Sequence, residues 1–188
     1  MYTEYGPLAF FIGRWESQGY TGDNKAPDPD RNEENTKFRQ EMVFSPAGLV
    51  ENHEQALYAL NYSTKAWEEE GDGEAFHQEV GYIIWDRENR QIMKSFIVPR
   101  GIAVIAGATI DESDITFTLS AKAGSETYGI CSNLFLDQEF KSVRYDVTFT
   151  RIDANTFSYD ENTQIRIKGR EPFFQHTEKN VMIRCLDI

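Results

Sequence analysis

The amino-acid sequence predicts an all-β protein: a closed, ten-stranded, antiparallel barrel in which each strand pairs with the next, with one short helix near the N-terminus. Most of the chain divides into runs that are rich in β-branched and aromatic residues and are bounded by Gly, Asp, Asn or Pro. The clearest runs alternate apolar and polar side chains, and the connections between runs are short. A closed meander accounts for these observations, because closure removes the unpaired edges that an open sheet would expose.

The N-terminal part predicts three elements in succession. Residues 5–12 carry several apolar side chains behind Pro7, which suits the first turn of a helix, so we expect a short helix that plugs the barrel. Residues 14–20 form the first predicted strand. Residues 21–35 are rich in Asp, Asn, Pro and Glu, which predicts a mobile loop.

The middle of the chain predicts six strands. Turn residues close each of them, for example the turn at Pro46-Ala-Gly, the acidic Glu70-Gly-Asp-Gly and the segment Asp86-Arg-Glu-Asn. The six predicted strands cover residues 36–46, 52–68, 74–85, 90–98, 101–109 and 114–121.

The C-terminal part begins with residues 124–141, whose apolar patch has no clear period and predicts a loop or helical turn over one barrel end. Residues 142–151 and 157–167 alternate strictly, and a short turn at 153–155 joins them, so they predict a hairpin. The last strand covers residues 175–186. These runs bring the total to ten strands, in an up-and-down arrangement like that of lipocalins and fatty-acid-binding proteins.

Composition restricts the class of protein. The 188 residues suit a single domain, 1–188, and 31 acidic against 19 basic residues give a net charge of −12 that disfavours nucleic acids and anionic membranes as partners. The N-terminus lacks the pattern of a signal peptide, so we expect a cytoplasmic protein. Cys131 and Cys185 lack metal-ligand spacing and predict two free thiols. A homodimer stays an open alternative.

A barrel of this size leaves room for an interior ligand, and we expect that ligand to be small and either apolar or planar. Among the three histidines, His176 is the best candidate for a binding side chain, as an axial ligand to haem iron or as a structural histidine. Alternation places His176 on the more polar side of its strand, which requires a bulge or a wet cavity. His77 and Glu79 are interpreted as an exterior polar pair, and His53 as a surface residue.

Four stretches resemble a known family, the nitrobindins and their bacterial relatives, which are haem-binding β-barrels of the fatty-acid-binding-protein-like class. They are Gly6-Pro-Leu-Ala-Phe-Phe-Ile-Gly-Arg-Trp15, Phe76-His-Gln-Glu-Val-Gly-Tyr82, Val98-Pro-Arg-Gly-Ile102 and Pro172-Phe-Phe-Gln-His-Thr-Glu178. Two positions depart from the family pattern. Ser17 replaces the middle glycine of Gly-x-Trp-x-Gly-x-Gly, and Val98-Pro-Arg-Gly stands where nitrobindins carry His-Pro-Thr-Gly.

The resemblance implies haem b as cofactor, with His176 as its axial ligand and metal-binding residue. It implies that Arg100 pairs with a propionate or another anionic group, and that Trp15 belongs to the cofactor-binding residues. Family members have been linked to nitric oxide binding at ferric haem and to isomerisation of peroxynitrite to nitrate. We therefore expect a haem-binding protein, with peroxynitrite isomerase activity as the enzymatic alternative. A lipocalin-like carrier of a fatty acid or other apolar ligand is the second hypothesis.

Overall fold

A computed structural model describes residues 2–185 and contains twelve β-strands, one 3-10 helix and one short α-helix. The 3-10 helix covers Thr3–Phe10, and α1 covers Leu134–Glu139. The strands are β1 (Gly13–Ser17), β2 (Gly22–Pro27), β3 (Glu33–Asn52), β4 (Gln55–Glu68), β5 (His77–Asp86), β6 (Gln91–Val98), β7 (Ile102–Thr109), β8 (Thr116–Lys122), β9 (Ile130–Ser132), β10 (Phe140–Arg151), β11 (Thr156–Ile167) and β12 (Phe174–Arg184).

The sheet closes into the predicted ten-stranded antiparallel barrel, because two positions around the barrel are each shared by two short strands. β1 and β2 both lie between β12 and β3, one after the other. β8 and β9 both pair with β7, at different points along it. The other eight strands follow chain order around the barrel. Pairing of β12 with β2 completes the ring and confirms the predicted fold class.

The prediction of a mobile loop over residues 21–35 is wrong. This segment contains β2 and the start of β3, which pair with each other from Gly22↔Phe38 to Pro27↔Glu33. Strand pairing overrides the turn propensity of its residues, since the buried Asn24 donates a hydrogen bond to Thr36 while the exposed face carries charged side chains. Gly22 is needed here, because a Cβ would lie 2.5 Å from the ring of Phe38.

Two further boundaries differ from the prediction. The expected turn at Pro46 is a β-bulge, and β3 continues through it to Asn52, so the hairpin tip falls at His53. In the segment 124–141, Ile130 extends the wall as part of β9, and Asn133 caps α1 by accepting a hydrogen bond from the backbone N–H of Leu136. The last residue of the predicted strand 175–186 lies outside the described residues.

The N-terminal helix closes one end of the barrel, as predicted for residues 5–12, although it is a 3-10 helix. Gly6 breaks its path with a φ of 53° against the ring of Trp85, where a Cβ would have no room. Leu8 and Phe11 are buried, and Phe11 contacts an aromatic cluster. The cluster contains Trp15, Phe44, Phe117, Phe149 and Phe157. Side chains therefore fill this end, which leaves the opposite end for a ligand.

Between residues 2 and 185, no helix combines the length and the apolar character that a membrane crossing requires.

Candidate functional site

The candidate site is a cavity of about 370 Å³ at the barrel end opposite the N-terminal helix. Its mouth is formed by the end of β2, the turn between β6 and β7, and helix α1. The apolar side chains of its walls are Phe96, Val98, Ile102, Val104, Ile130, Leu136, Phe140 and Ile165. The titratable residues that line it are Asp28 and Arg100 at the mouth, and His77, Glu79, Tyr145, Glu161 and His176 deeper inside. The cavity therefore combines apolar walls with a polar floor.

His176 lies on β12 and lines this cavity. Its Nε2 lies 3.1 Å from Oδ1 of the buried Asn24, whose Nδ2 donates a hydrogen bond to Thr36 Oγ1 at 3.0 Å. Since that bond identifies Oδ1 as the acceptor, Nε2 carries the proton and Nδ1 carries the lone pair. Burial and the charges of His77 and Arg100 lower the pKa of His176 to about 4. At neutral pH the imidazole is uncharged, the form that binds a metal.

Arg100 lies at the rim of the cavity, in the turn that connects β6 and β7. Gly101, with a φ of 84°, allows this turn, and Asn133 Nδ2 donates a hydrogen bond to the Arg100 carbonyl at 2.7 Å. The backbone of Arg100 is therefore held in place, while its side chain is exposed to solvent. The positive charge of Arg100 contributes to the lowered pKa of His176, and both predicted binding residues line the same cavity.

Trp15 does not join them. It is fully buried in the aromatic cluster at the closed end, where its Nε1 donates to the Phe11 carbonyl at 2.7 Å. Trp15 pairs with Arg184 at the far end of β12, and the strand from His176 to Arg184 is roughly 26 Å long. Trp15 stabilises the plug of the barrel, and the structure gives it no contact with the cavity.

Five side chains form a line of contacts across the cavity floor, which we call the polar chain. His77 Nε2 lies 3.3 Å from Glu79 Oε1, and Lys94 Nζ lies 2.9 Å from Glu79 Oε2. Lys94 Nζ also donates to the Tyr145 hydroxyl at 2.9 Å, and that hydroxyl donates to Glu161 Oε2 at 2.8 Å. Lys94 lies 4.0 Å from the centre of the Phe96 ring, which adds a cation–π contact.

The charges of the polar chain are fixed by burial and pairing. Burial raises the pKa of Glu79, but Lys94 and His77 outweigh it and lower that pKa to about 2. Burial lowers the pKa of His77, but the hydrogen bond and charge of Glu79 raise it to about 9. Glu79 is therefore ionised and His77 protonated at neutral pH.

The interpretation of His77 and Glu79 as an exterior pair is wrong. Glu79 is 5% exposed, and both side chains point into the barrel. The interior is polar at this level, so alternation on β5 gives no sign of which face is buried. The same polar interior explains His176: it shares its face of β12 with the buried Asn180, so the more polar face of this strand is the one that points into the barrel.

Sequence reasoning also missed Lys94, Tyr145 and Glu161 as site residues. One signal was present: Lys94 follows Ile92 and precedes Phe96 at the alternating positions of β6 that face inward. A lysine among inward-facing apolar residues means either that the predicted inward face of the strand is wrong or that a buried charge has a partner. Its partners lie on β5, β10 and β11, and only the fold brings them together.

An antiparallel barrel with one end filled by side chains and an open cavity at the other is the architecture typical of barrels that bind small ligands. The chain belongs to the family described as "THAP4-like, heme-binding beta-barrel domain", whose model matches residues 4–184. This match confirms the resemblance to haem-binding barrels and supports a planar ligand.

Solved structures support the same fold. Rv2717c from M. tuberculosis aligns with a TM-score of 0.62 at 20% identity, over 95% of both chains. The S-type phycobiliprotein lyase CPES from Guillardia theta aligns with a TM-score of 0.54 at 8% identity, over 96% of this chain and 92% of the lyase. A search of curated protein sequences finds no match.

Proposed function

We propose that one haem b binds in the open-ended cavity with His176 as its axial ligand. The loaded barrel then binds small gaseous or anionic ligands, and nitric oxide binding and peroxynitrite isomerisation are the reactions to test. The observation that supports this most is an uncharged imidazole in the wall of an apolar cavity that opens to solvent.

The residues present fit the requirements of haem. An axial ligand must offer an unprotonated nitrogen, and His176 has one because its Nε2–H donates a hydrogen bond to Asn24 Oδ1, which leaves Nδ1 without a proton. The porphyrin needs apolar surroundings, which the walls of the cavity provide. The propionates need a cation near solvent, and Arg100 lies exposed at the rim. A cavity open at one end accommodates a cofactor whose edge stays in solvent.

Each residue has a separate role in this proposal. When bound, haem supplies an iron with a coordination position for a small ligand. Asn24 orients the imidazole of His176 and fixes its tautomer. Apolar walls exclude water from the site. His77 on β5 stays protonated because of Glu79, so it is an N–H donor in the wall of the cavity. β5 lies across the barrel from β12: of the ten positions around the barrel, three separate the two strands on one side and five on the other.

The carrier hypothesis predicts a different use of the cavity. A fatty-acid carrier needs a buried cation that is available to the carboxylate of the ligand. Among the described residues, the cations at the floor are Lys94 and His77, and both already bind Glu79. An organic extract of the purified protein would contain a stoichiometric lipid if this hypothesis holds.

We expect haemin to saturate the wild-type protein at one equivalent in a titration followed at the Soret band. His176→Ala removes the axial ligand, so the affinity should fall by about 100-fold or more. The matched control is His53→Ala, at the exposed tip of the β3–β4 hairpin, which should bind haemin like the wild type. Equal affinities of His176→Ala and wild type would contradict the axial role of His176.

A further inference from the structure

The polar chain has features that a purely structural network does not require. Its terminal residues His77 and Glu161 both line the ligand cavity, while Lys94 between them is only 3% exposed. Glu161 uses Oε2 to accept the hydrogen bond from Tyr145. Its other oxygen, Oε1, makes no hydrogen bond to any residue between 2 and 185. A carboxyl oxygen at the floor of the cavity is thus available to a proton or to a ligand.

The number of charges at the floor leaves one carboxylate without a cation. Lys94 and His77 are the cations there, whereas Glu79, Glu161 and Glu178 are the carboxylates. Lys94 Nζ lies 2.9 Å from Glu79 but 4.0 Å from Glu161, so it pairs mainly with Glu79. An uncompensated charge in a water-poor interior is costly, and binding one proton removes it. The geometry therefore raises the affinity of Glu161 for a proton.

Electrostatics support this assignment. Burial raises the pKa of Glu161; Lys94 opposes the rise, and the charges of Glu79 and Glu178 add to it, so the pKa is about 7. Tyr145 keeps its proton, since burial raises the pKa of its hydroxyl well above the usual value. Tyr145 therefore remains a donor to Glu161 Oε2, which leaves Oε1 as the atom that binds the proton.

The groups that face Glu161 come from every neighbouring part of the barrel. They are Tyr62 on β4, His77 and Glu79 on β5, Lys94 on β6, Tyr145 on β10, Tyr159 on β11, and His176 and Glu178 on β12. The pKa values of Tyr62 and Tyr159 are raised well above their usual range by burial. His77 has a pKa of about 9, Glu79 of about 2 and His176 of about 4. The pKa values of His77, Glu79 and His176 each lie about two or more units from that of Glu161.

We propose that Glu161 is the proton-exchanging group of the ligand cavity, which takes up one proton when it binds a monoanion. The proton comes from solvent and binds Glu161 Oε1, so the charge of the floor is the same before and after the anion enters. Because Glu161 takes up a single proton, its uptake compensates a single negative charge, so the ligands that fit are small monoanions. The proposal rests on the proposed haem function only for the position at which the anion binds.

The sign of the effect follows from linkage. Below about pH 7 Glu161 already holds its proton, and anion affinity should not change with pH. Above that value each anion must bring a proton from solution, so the affinity should fall about tenfold per pH unit. In Glu161→Gln the amide cannot titrate, and this part of the pH dependence should vanish.

The first test uses protein without haem. Carboxyl carbon resonances of ¹³C-labelled glutamate are followed by NMR from about pH 5 to 9, and we expect one that titrates near 7 and is absent in Glu161→Gln. Glu126→Gln, at an exposed glutamate, is the matched control and should retain it. If no carboxyl titrates between about pH 6 and 8, or if the resonance persists in Glu161→Gln, the proposal is overturned.

The second test uses haem-loaded protein and azide, an anion throughout this pH range. Its dissociation constant should rise with pH above about 7 in wild type and less in Glu161→Gln; pH effects from other groups affect both proteins equally. Identical profiles would overturn the coupling between anion and proton. Failure of the wild type to bind haem would instead refute the proposed function, while the NMR titration still decides whether Glu161 exchanges a proton.

Discussion

Replacing Lys94 by methionine is expected to lower the free energy of unfolding by about 3–5 kcal/mol. Lys94 is 3% exposed and is the main cation beside Glu79, so loss of its ammonium group leaves a buried carboxylate without its closest partner. In wild type the folded pKa of Glu79, about 2, lies below its unfolded value of 4.5. Glu79 thus contributes stability above about pH 4.5, which is lost as the pH falls towards 2. This contribution largely disappears without Lys94.

Chemical denaturation at about pH 8 and pH 5 measures the effect, and the loss should be smaller at the lower pH, where Glu79 can take up a proton. Lys94→Met combined with Glu79→Gln should recover part of the stability, because the uncompensated charge is gone. Lys65→Met, on the exposed face of β4, is the matched control and should change stability by less than about 0.5 kcal/mol. A loss of the same small size for Lys94→Met would show that the buried pair contributes nothing.

The second large effect is expected for Gly81→Ala in β5. A Cβ at this position would lie 2.0 Å from the Ser95 carbonyl oxygen and 2.7 Å from the Phe96 Cα, so the backbone of β6 would have to move. Overpacking of this kind costs about 3 kcal/mol. Since β6 carries both Phe96 and Lys94, the displacement should also weaken haem binding.

Thermal unfolding and haemin titration of the same sample test both parts of this prediction. Gly71→Ala is the control, because its Cβ would meet no atom closer than 3.4 Å and its backbone is not in the left-handed region. We expect the control to unfold within a few degrees of wild type. If Gly81→Ala behaved like the control, the close approach of β5 and β6 would not be a constraint on the barrel.

The strands were predictable from the sequence where one face of a strand is apolar and the other is polar. β10 and β11 show this alternation along most of their lengths, and the structure pairs them as a hairpin from Phe140↔Ile167 to Arg151↔Phe157. β2 was not predictable in this way, because only pairing with its neighbours orders a segment of Asp, Asn, Lys and Pro. The inward residue of β2 is Asn24, which is hydrogen-bonded to Thr36, so the strand lacks the alternation of apolar and polar residues that would have marked it in the sequence.

Half of the site could be predicted. His176 was identified from its position in the sequence and again through the family resemblance, Arg100 through the resemblance alone, and both line the cavity. The polar floor could not be predicted, since its residues show no common motif and Glu161 on β11 is far in sequence from His77 and Lys94 on β5 and β6. Trp15 illustrates the opposite error: it belongs to a motif of the family, but its indole lies in the plug at the closed end.

The most direct test of the central claim is ligand rescue in His176→Gly. This variant leaves a space on β12 that imidazole from solution can fill, beside Asn24 and within the same apolar walls. We predict that the variant binds haemin weakly alone, and that added imidazole restores tight binding at one equivalent with a wild-type Soret spectrum. Restoration by imidazole would identify residue 176 as the axial position. Tight binding without imidazole, or none with it, would contradict that assignment.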